Sequence, residues 1–199
     1  DYYASRGLGD VYKRQDYVMK VEKLQFDDIN RTYGEELNYG GKGINVSVIL
    51  SRLGVENTAL GFQAGFTGEK LEELLKADGI KTDFIALKNG MTRINVKIKA
   101  QTELDINAVG PPIEEDEVER LFEKIKAFQS GDVIVLAGSV PGTLPPDIYE
   151  KILSVTSKSG VESVVDATGD LLLNVLKYHP FLIKPNHFEL GDLLSLIHI

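Results

Sequence analysis

The sequence contains no cysteine, which excludes disulfide bonds, thiolate zinc sites and cysteine nucleophiles. Histidine is also scarce, with three residues in the whole chain, so we do not expect a histidine-based metal site. The formal net charge of −8 argues against non-specific binding to nucleic acid, which needs a basic surface. Small anionic substrates stay compatible with this charge, because a few local cations are enough to bind them.

Long apolar runs are missing as well. The longest uninterrupted runs, such as Val133–Ala137, are far too short to cross a bilayer, so we expect no membrane partner. We find no pattern of a secretory signal and expect a cytoplasmic location. A chain of 199 residues with 43% hydrophobic and 26% charged residues has the composition of a soluble globular domain.

The order of apolar patterns predicts an α/β fold. From Gly131 onward, short apolar strands alternate with helical patterns, which is typical of a doubly wound, mostly parallel sheet. Upstream, residues 16–21 and 57–61 resemble strands, and residues 44–53 and 67–77 have helical spacing. Residues 93–99 alternate polar and apolar side chains, which predicts a strand with one wet face and a hairpin partner at 103–108. These strands indicate a small sheet that forms a lid on the core.

The two ends of the chain follow neither pattern. Residues 1–15 show no hydrophobic period, and residues 194–199 end the last predicted helix after barely two turns. We interpret both ends as foreign to the natural protein, and we place the domain at 16–193, with lid strands near 22–39 and 92–108. A longer natural transcript that encodes both ends in frame would refute this interpretation.

The most informative motif is residues 40–45, Gly-Gly-Lys-Gly-Ile-Asn, which lead directly into a helical pattern. Backbone N–H groups at a helix start, with no Cβ atoms nearby, suit an anionic or hydroxyl-rich ligand. Lys42 adds a charge for phosphate. The alternative is a simple tight turn between a strand and a helix. The motif is not a Walker A loop, since Gly43 follows the lysine, and it lacks the dinucleotide-binding fingerprint.

Three further motifs follow in a fixed order and spacing. They are residues 92–98 (Thr-Arg-Ile-Asn-Val-Lys-Ile), 137–141 (Ala-Gly-Ser-Val-Pro) and 184–190 (Lys-Pro-Asn-His-Phe-Glu-Leu). Together with 40–47, they resemble the ribokinase/PfkB family of carbohydrate kinases, in its branch of 1-phosphofructokinases and tagatose-6-phosphate kinases. The resemblance covers about residues 16–193 and implies a ribokinase-like sheet with a β-sheet lid.

The resemblance assigns the first motif to the sugar phosphate. It implies that Gly41 contacts the substrate through its backbone, that Asn45 binds a sugar hydroxyl and that Lys42 binds the phosphate. Asp16 stands where the family has an aspartate, after the first core strand, that accepts hydrogen bonds from substrate hydroxyls. Gln15 and Arg14 depart from the residues that the family has before this aspartate, so its positioning is in question. The alternative for Asp16 is a solvated turn residue.

The lid strand and the loop after a buried strand carry further candidates. Arg93, Asn95 and Lys97 share one face of their strand, and we prefer Arg93 as a phosphate clamp because guanidinium binds phosphate bidentately. The alternative is a face that is merely wet. Ser139 follows a glycine at the carboxyl edge of the sheet, where open α/β sheets bind ligands. A plain loop is the alternative there.

The fourth motif points to the nucleotide. The resemblance gives Lys184 and Asn186 contacts to ATP phosphates and gives Glu189 a role in a Mg²⁺ site, with Asp166 as a second metal candidate. Asn186 and Glu189 also have the spacing of a helix capping box, and both interpretations can hold together. Asp166 has its own alternative, as a cap for the helix at 169–176.

The implied reaction is ATP- and Mg²⁺-dependent phosphorylation of a sugar phosphate, with fructose 1-phosphate giving fructose 1,6-bisphosphate as our preferred case. The aspartate base and the anion hole of the family lie in a Gly-Ala-Gly-Asp type motif beyond residues 184–186. No such motif occurs here, so we expect the C-terminal part of the fold to be missing and the chain itself to be inactive. We also expect a homodimer through the lid.

Other functions stay open at this stage. Tagatose 6-phosphate is the alternative substrate within the family. A protein of the same fold that senses a sugar phosphate without catalysis is a second class, and a missing aspartate in the downstream sequence would favour it. A nucleotide-binding module of another fold is a weaker alternative, since neither standard phosphate-loop fingerprint is present.

Overall fold

The computed structural model describes residues 5–8, 14–140 and 142–195. Pro141, which closes the third motif, lies outside the described residues, as do 1–4, 9–13 and 196–199 within the two end segments.

A six-stranded parallel sheet forms the core. Its strands are β1 (Ser5–Leu8), β4 (Asn57–Gln63), β5 (Lys81–Ala86), β8 (Val133–Ala137), β9 (Glu162–Asp166) and β10 (Leu182–Ile183). They lie in the order β10-β9-β8-β1-β4-β5, and every pairing between neighbours is parallel. All strands therefore end at one edge of the sheet, which is where ligands bind in open α/β folds.

A second, four-stranded sheet forms the lid. It consists of β2 (Arg14–Lys20), β3 (Gly34–Gly40), β6 (Ile94–Lys99) and β7 (Glu103–Asn107), in the order β3-β2-β6-β7. The β2–β6 pairing is parallel, whereas β2–β3 and β6–β7 are antiparallel. The predicted hairpin between β6 and its partner is therefore confirmed.

Two strands differ from the expectation. The strand at 16–21 belongs to the lid as β2, so Asp16 is its third residue and does not directly follow a core strand; our placement of Asp16 was wrong. Strand β5 was not predicted at all. Its first half is polar and it lies at the sheet edge, where Ile85 is its one fully buried residue, so its apolar pattern is weak.

Within the described residues, six α-helices lie between or after the strands. They are α1 (Lys42–Arg52), α2 (Gly65–Ala77), α3 (Glu115–Lys126), α4 (Ile148–Thr156), α5 (Gly169–Val175) and α6 (His187–Ser195), with 3₁₀ turns at Ser157–Ser159 and Leu176–Tyr178. Helix α3 begins with a capping box, in which the Glu114 N–H donates to Glu117 Oε2 at 2.8 Å. Its acidic first turn also suits the helix dipole. None of the helices in the described part of the chain is long and apolar enough to cross a membrane.

Apolar side chains cover both faces of the core sheet. Consecutive residues of a strand point to opposite faces, and β4 shows this clearly. Ala59 belongs to a small cluster with residues of α1 and α2, whereas Leu60 and Phe62 belong to a larger cluster with residues of α3, α4 and α5. The sheet is therefore sandwiched between two helical layers, which confirms the predicted doubly wound α/β fold.

Candidate active site at the carboxyl edge of the sheet

Residues of three motifs meet at Asp166, the last residue of β9, two of them at its carboxylate and one at its backbone carbonyl. Lys42 Nζ lies 3.0 Å from Asp166 Oδ1, and Lys184 Nζ lies 3.2 Å from Oδ2. Asp166 is 7% exposed, and its backbone carbonyl accepts a hydrogen bond from the Gly138 N–H at 3.0 Å. The glycine turn, the loop after β8 and the segment after β10 are thus neighbours, although they are far apart in sequence.

The glycine turn has the backbone geometry that its composition predicts. Gly41 is the N-cap of α1, with φ 116° and ψ 142°, a conformation that side chains with a Cβ rarely adopt. Among the described residues, no side chain caps this helix start. The first-turn N–H groups thus face the edge of the sheet as donors for an anion or a hydroxyl group. Asn45 lies one turn further on and is exposed.

Asp16 lies against this turn from the lid side. A Cβ atom on Gly40 would come within 2.9 Å of Asp16 Oδ2, so the glycine permits the close approach. Arg14 Nε lies 3.1 Å from Asp16 Oδ1, but neither atom has an aligned hydrogen-bond partner in the described part of the chain. The pair is therefore an electrostatic contact without an aligned hydrogen bond.

Strand β6 brings Asn95 beside Asp16, since the two residues are in register across the β2–β6 pairing. Asn95 is 2% exposed, and Arg93 precedes it on the same face, with its carbonyl accepting the Gln15 N–H at 3.1 Å. Lys97 differs, because its amino group pairs with Asp105 at 2.7 Å on the neighbouring strand β7. The structure therefore groups Asp16, Arg93 and Asn95, while Lys97 is engaged within the lid.

Thr92 is a positioning residue that sequence reasoning missed. It is 3% exposed, its Oγ1 accepts a hydrogen bond from the Ala64 N–H at 2.9 Å, and its carbonyl accepts one from Thr67 Oγ1 at 2.8 Å. Its own N–H donates to the Ala64 carbonyl at 2.8 Å. These bonds tie the residue before Arg93 to the start of α2. Thr92 opens the second motif, but its sequence neighbours give no sign that its hydroxyl is buried.

Replacing Thr92 with valine is expected to lower the free energy of unfolding by about 1–3 kcal/mol, because the buried Ala64 N–H loses its side-chain acceptor. We also expect weaker binding of an anion such as inorganic phosphate near Arg93, since this residue loses its anchor. Urea denaturation and calorimetric titration would measure the two effects. Thr102→Val, at an exposed position in the β6–β7 turn, serves as the matched control and should change neither quantity. Equal stability of the two variants would contradict the anchoring role.

The loop after β8 is held from both sides. Gly138 has φ 99°, its N–H bonds to Asp166, and its carbonyl accepts the Tyr149 hydroxyl at 3.2 Å. Ser139 follows as an exposed residue at the sheet edge. The fixed glycine sets the position of Ser139 relative to Asp166, as a ligand-contacting residue requires.

The start of α6 is a capping box, as one interpretation of the sequence predicted. Asn186 Oδ1 accepts hydrogen bonds from the N–H groups of Phe188 and Glu189, both at 2.9 Å. Glu189 Oε2 accepts the Asn186 N–H at 2.7 Å. The alternative for Asp166 was wrong, since Thr168 is the N-cap of α5 and the Asp166 carboxylate binds two lysines instead.

Asp166 and Glu189 suit a Mg²⁺ ion that arrives with a bound nucleotide better than an ion that is coordinated by protein side chains alone. Within the described residues, no group of three or more potential metal-ligating side chains stands together. Asp166 is occupied by its lysines, and Glu189 by the helix cap. Mg²⁺ is commonly held by one or two carboxylates together with substrate phosphates and water, and these two carboxylates are compatible with that arrangement.

A surface cavity of about 1120 Å³ lies elsewhere in the described part of the chain. It is lined by residues of α3 and α4, among them Val118, Phe122 and Ile148, and by none of the candidate residues. The chemistry of the carboxyl edge, and not cavity size, therefore defines the candidate site.

A sequence profile of the pfkB family carbohydrate kinases matches residues 9–197. The chain belongs to this family. A 1-phosphofructokinase of Bacillus subtilis (strain 168) is 43% identical to it over 180 residues, which are 90% of this chain and 59% of that protein. A tagatose-6-phosphate kinase of Staphylococcus epidermidis (strain ATCC 35984) is 34% identical over 184 residues, again 90% of this chain and 59% of that protein. The chain thus spans about three fifths of the length of these relatives.

Solved structures of pfkB kinases have the same architecture. Phosphofructokinase-2 from Escherichia coli, solved in complex with fructose-6-phosphate, superposes with a TM-score of 0.88 at 26% identity. The match covers 97% of this chain and 64% of that one. The predicted ribokinase-like fold is confirmed by this likeness.

Proposed function

We propose that this chain is the acceptor-binding part of an ATP-dependent sugar-phosphate kinase, whose complete form converts fructose 1-phosphate to fructose 1,6-bisphosphate. The observation that carries the proposal is the convergence of Lys42 and Lys184 on Asp166. This convergence supports the proposal, because the glycine turn that we expect to bind a phosphate lies beside the segment that we expect to bind a nucleotide. The identity of 43% to a 1-phosphofructokinase supports the choice of substrate.

The residues divide the binding work between the two ligands. On the acceptor side, the Gly41 backbone and Lys42 bind the sugar phosphate, Asn45 and Asp16 bind hydroxyl groups, and Arg93 clamps the phosphate from the lid. Asn95 and Ser139 line the same acceptor-binding space. On the nucleotide side, Lys184 and Asn186 contact phosphates, with Glu189 and Asp166 near the metal.

ATP supplies the phosphoryl group, and Mg²⁺ offsets the charge of its phosphates. What the described residues contribute is positioning, because holding the acceptor hydroxyl in one geometry removes an entropic part of the barrier. The base that takes the hydroxyl proton in this family is expected in a motif that this sequence does not contain. The chain alone is therefore expected to bind fructose 1-phosphate without turning it over.

A substrate panel tests the proposal. A complete homologue that carries these residues should phosphorylate fructose 1-phosphate with a kcat/KM at least about tenfold above tagatose 6-phosphate and fructose 6-phosphate, a difference of roughly 1.4 kcal/mol in transition-state binding. Tagatose 6-phosphate is the second candidate, since tagatose-6-phosphate kinases are 34% identical to the chain. A higher kcat/KM for tagatose 6-phosphate would make that sugar the proposed substrate. Binding of a sugar phosphate without its phosphorylation would favour a sensor protein.

The substitution Glu189→Gln separates capping from metal binding. Glutamine keeps the capping box, so the melting temperature should stay within about 2 °C of the unchanged protein. It removes the carboxylate charge, so the gain in ATP affinity on adding Mg²⁺ should fall by about tenfold or more. Titration of ATP with and without Mg²⁺ measures this gain. An unchanged gain would show that Glu189 acts only as a cap.

The lid offers a surface for the homodimer that we propose. Alternating residues place Tyr17, Leu37, Val96 and Ile106 in one row across its four strands, on the face opposite Asp16 and Asn95. Ile106 is 53% exposed and Leu37 is 37% exposed, so apolar area is left in contact with water. At the edge of this face, the Tyr17 hydroxyl donates to Glu35, which raises the pKa of Tyr17 and lowers that of Glu35.

Replacing Ile106 with glutamate is expected to convert a dimer into a monomer, because two like charges would then be buried across the interface. Light scattering at several protein concentrations measures the mass. Ile49→Glu, on the exposed surface of α1, provides the control and should leave the mass unchanged. A chain that is monomeric before any substitution would remove the proposal.

A further inference from the structure

We propose that Asp166 is a shared counter-ion for Lys42 and Lys184, and that it makes the two phosphate-binding regions antagonistic towards each other when no metal is present. The inference rests on the proposed function, since it concerns the binding of sugar phosphate and nucleotide. It adds a coupling between the two regions that neither lysine would produce alone.

The carboxylate is the fixed member of this group of three charges. Asp166 is the last residue of β9, in register with Ala137 of β8, and its backbone carbonyl holds Gly138. The long side chains of Lys42 and Lys184 are 43% and 61% exposed, whereas the Asp166 side chain is 10% exposed. When a ligand arrives, the lysine amino groups can therefore move, and the carboxylate stays.

Each carboxylate oxygen serves one lysine, with Oδ1 facing Lys42 and Oδ2 facing Lys184. A phosphate bound at the glycine turn attracts Lys42 and weakens its pair with Asp166. The nearly buried carboxylate then depends on Lys184 alone, because a charge left without a partner in such a place is costly. A second anion that draws on Lys184 would have to break this strengthened pair.

The charges of the three groups determine the direction of each change in affinity. In the free protein, Asp166 competes with every anionic ligand for both lysines, so removing its charge should strengthen binding at either region. Repulsion between two bound anions would remain, but the part of the antagonism that passes through the carboxylate would be lost. A residue that only maintained the fold would have the opposite effect, because its loss would weaken binding.

The test compares Asp166→Asn with Glu162→Gln, an exposed acid at the other end of the same strand. Fructose 1-phosphate is titrated calorimetrically into each protein in the presence of EDTA, with and without saturating ATP. For the unchanged protein and Glu162→Gln, we expect ATP to weaken fructose 1-phosphate binding by about three- to tenfold. Without ATP, we expect Asp166→Asn to bind fructose 1-phosphate about three- to tenfold more tightly than the unchanged protein does. Saturating ATP should change the affinity of this variant for fructose 1-phosphate by less than about twofold.

A second variant covers the case in which Asp166→Asn does not fold. Lys184→Met changes an exposed side chain, and it leaves the whole carboxylate charge to Lys42. It should weaken fructose 1-phosphate binding two- to fivefold even without nucleotide, whereas Lys177→Met, which removes the lysine paired with Glu150, should not. An affinity of Lys184→Met for fructose 1-phosphate equal to that of the unchanged protein would contradict the shared counter-ion.

The outcomes separate the two proposals. If the unchanged protein binds fructose 1-phosphate but ATP leaves its affinity unaltered, or if Asp166→Asn binds it more weakly, the shared counter-ion is refuted and the proposed function stands. If neither the unchanged protein nor Glu162→Gln binds any of fructose 1-phosphate, tagatose 6-phosphate and fructose 6-phosphate, the proposed function fails, and this inference fails with it.

Discussion

Replacing Gly41 with alanine is expected to reduce the affinity for fructose 1-phosphate by about tenfold or more and to lower the free energy of unfolding by about 1–3 kcal/mol. The backbone of Gly41, at φ 116° and ψ 142°, lies in a region that is essentially restricted to glycine. An alanine has to leave this conformation, and the N–H groups at the start of α1 would then turn away from the ligand. Calorimetric titration and urea denaturation measure the two losses.

Gly54, just beyond the other end of α1, supplies the control for this experiment. It also has a positive φ, 74°, but a Cβ atom there would meet nothing within 4 Å. Alanine at Gly54 should therefore cost about 1 kcal/mol of stability through backbone strain alone and leave ligand affinity unchanged. A similar loss of affinity in both variants would mean that general destabilisation, and not the geometry of the turn, controls binding.

The second large effect is expected in the core. Leu136 is fully buried in β8, where it is in register with Leu8 of β1 and Val165 of β9. Leu136→Ala should lower the free energy of unfolding by about 2–5 kcal/mol, because it removes buried apolar area and leaves a cavity. Such a loss is a large part of the total stability of a typical domain.

Urea denaturation of Leu136→Ala beside Leu53→Ala would test this expectation. Leu53 is 71% exposed at the end of α1, so its truncation should change stability by no more than about 0.5 kcal/mol. Equal effects of the two substitutions would show that β8 is not packed as described. Because β8 leads directly into Gly138 and Ser139, the Leu136 variant should also bind fructose 1-phosphate more weakly at temperatures near its unfolding transition.

The buried parallel strands could be predicted from sequence because their physical signal is local. Val133–Ala137 is apolar throughout, as a strand covered on both faces must be, and the helices that follow have their own 3.6-residue period. Strand β5 gave no such signal, since its first three residues are polar and Ile85 is its one fully buried residue. Strand β2 was recognised as a strand, but its sheet was not, because the pairing with β6 joins residues about 80 positions apart.

The residues of the candidate site could be proposed from the sequence, but their contacts could not. Glycines and a lysine before a helix are visible in the sequence, and so is the capping pattern of Asn186 and Glu189. The two ion pairs of Asp166 are not, because they depend on how β9, β10 and α1 are arranged in space. The anchoring bonds of Thr92 are also long-range, and nothing near this residue in the sequence distinguishes it from a surface threonine.

The central position of β1 has a consequence for folding order. Ser5 pairs with Asn57 of β4 on one side and with Val133 of β8 on the other, so β1 is flanked by two strands that are synthesised much later. During synthesis from the N-terminus, one edge of β1 has no partner until the ribosome has passed β8. Such long-range pairing slows folding and exposes an unpaired strand edge meanwhile. Chains that stop before residue 137 are therefore expected to aggregate, even though they already contain the whole lid and the glycine turn.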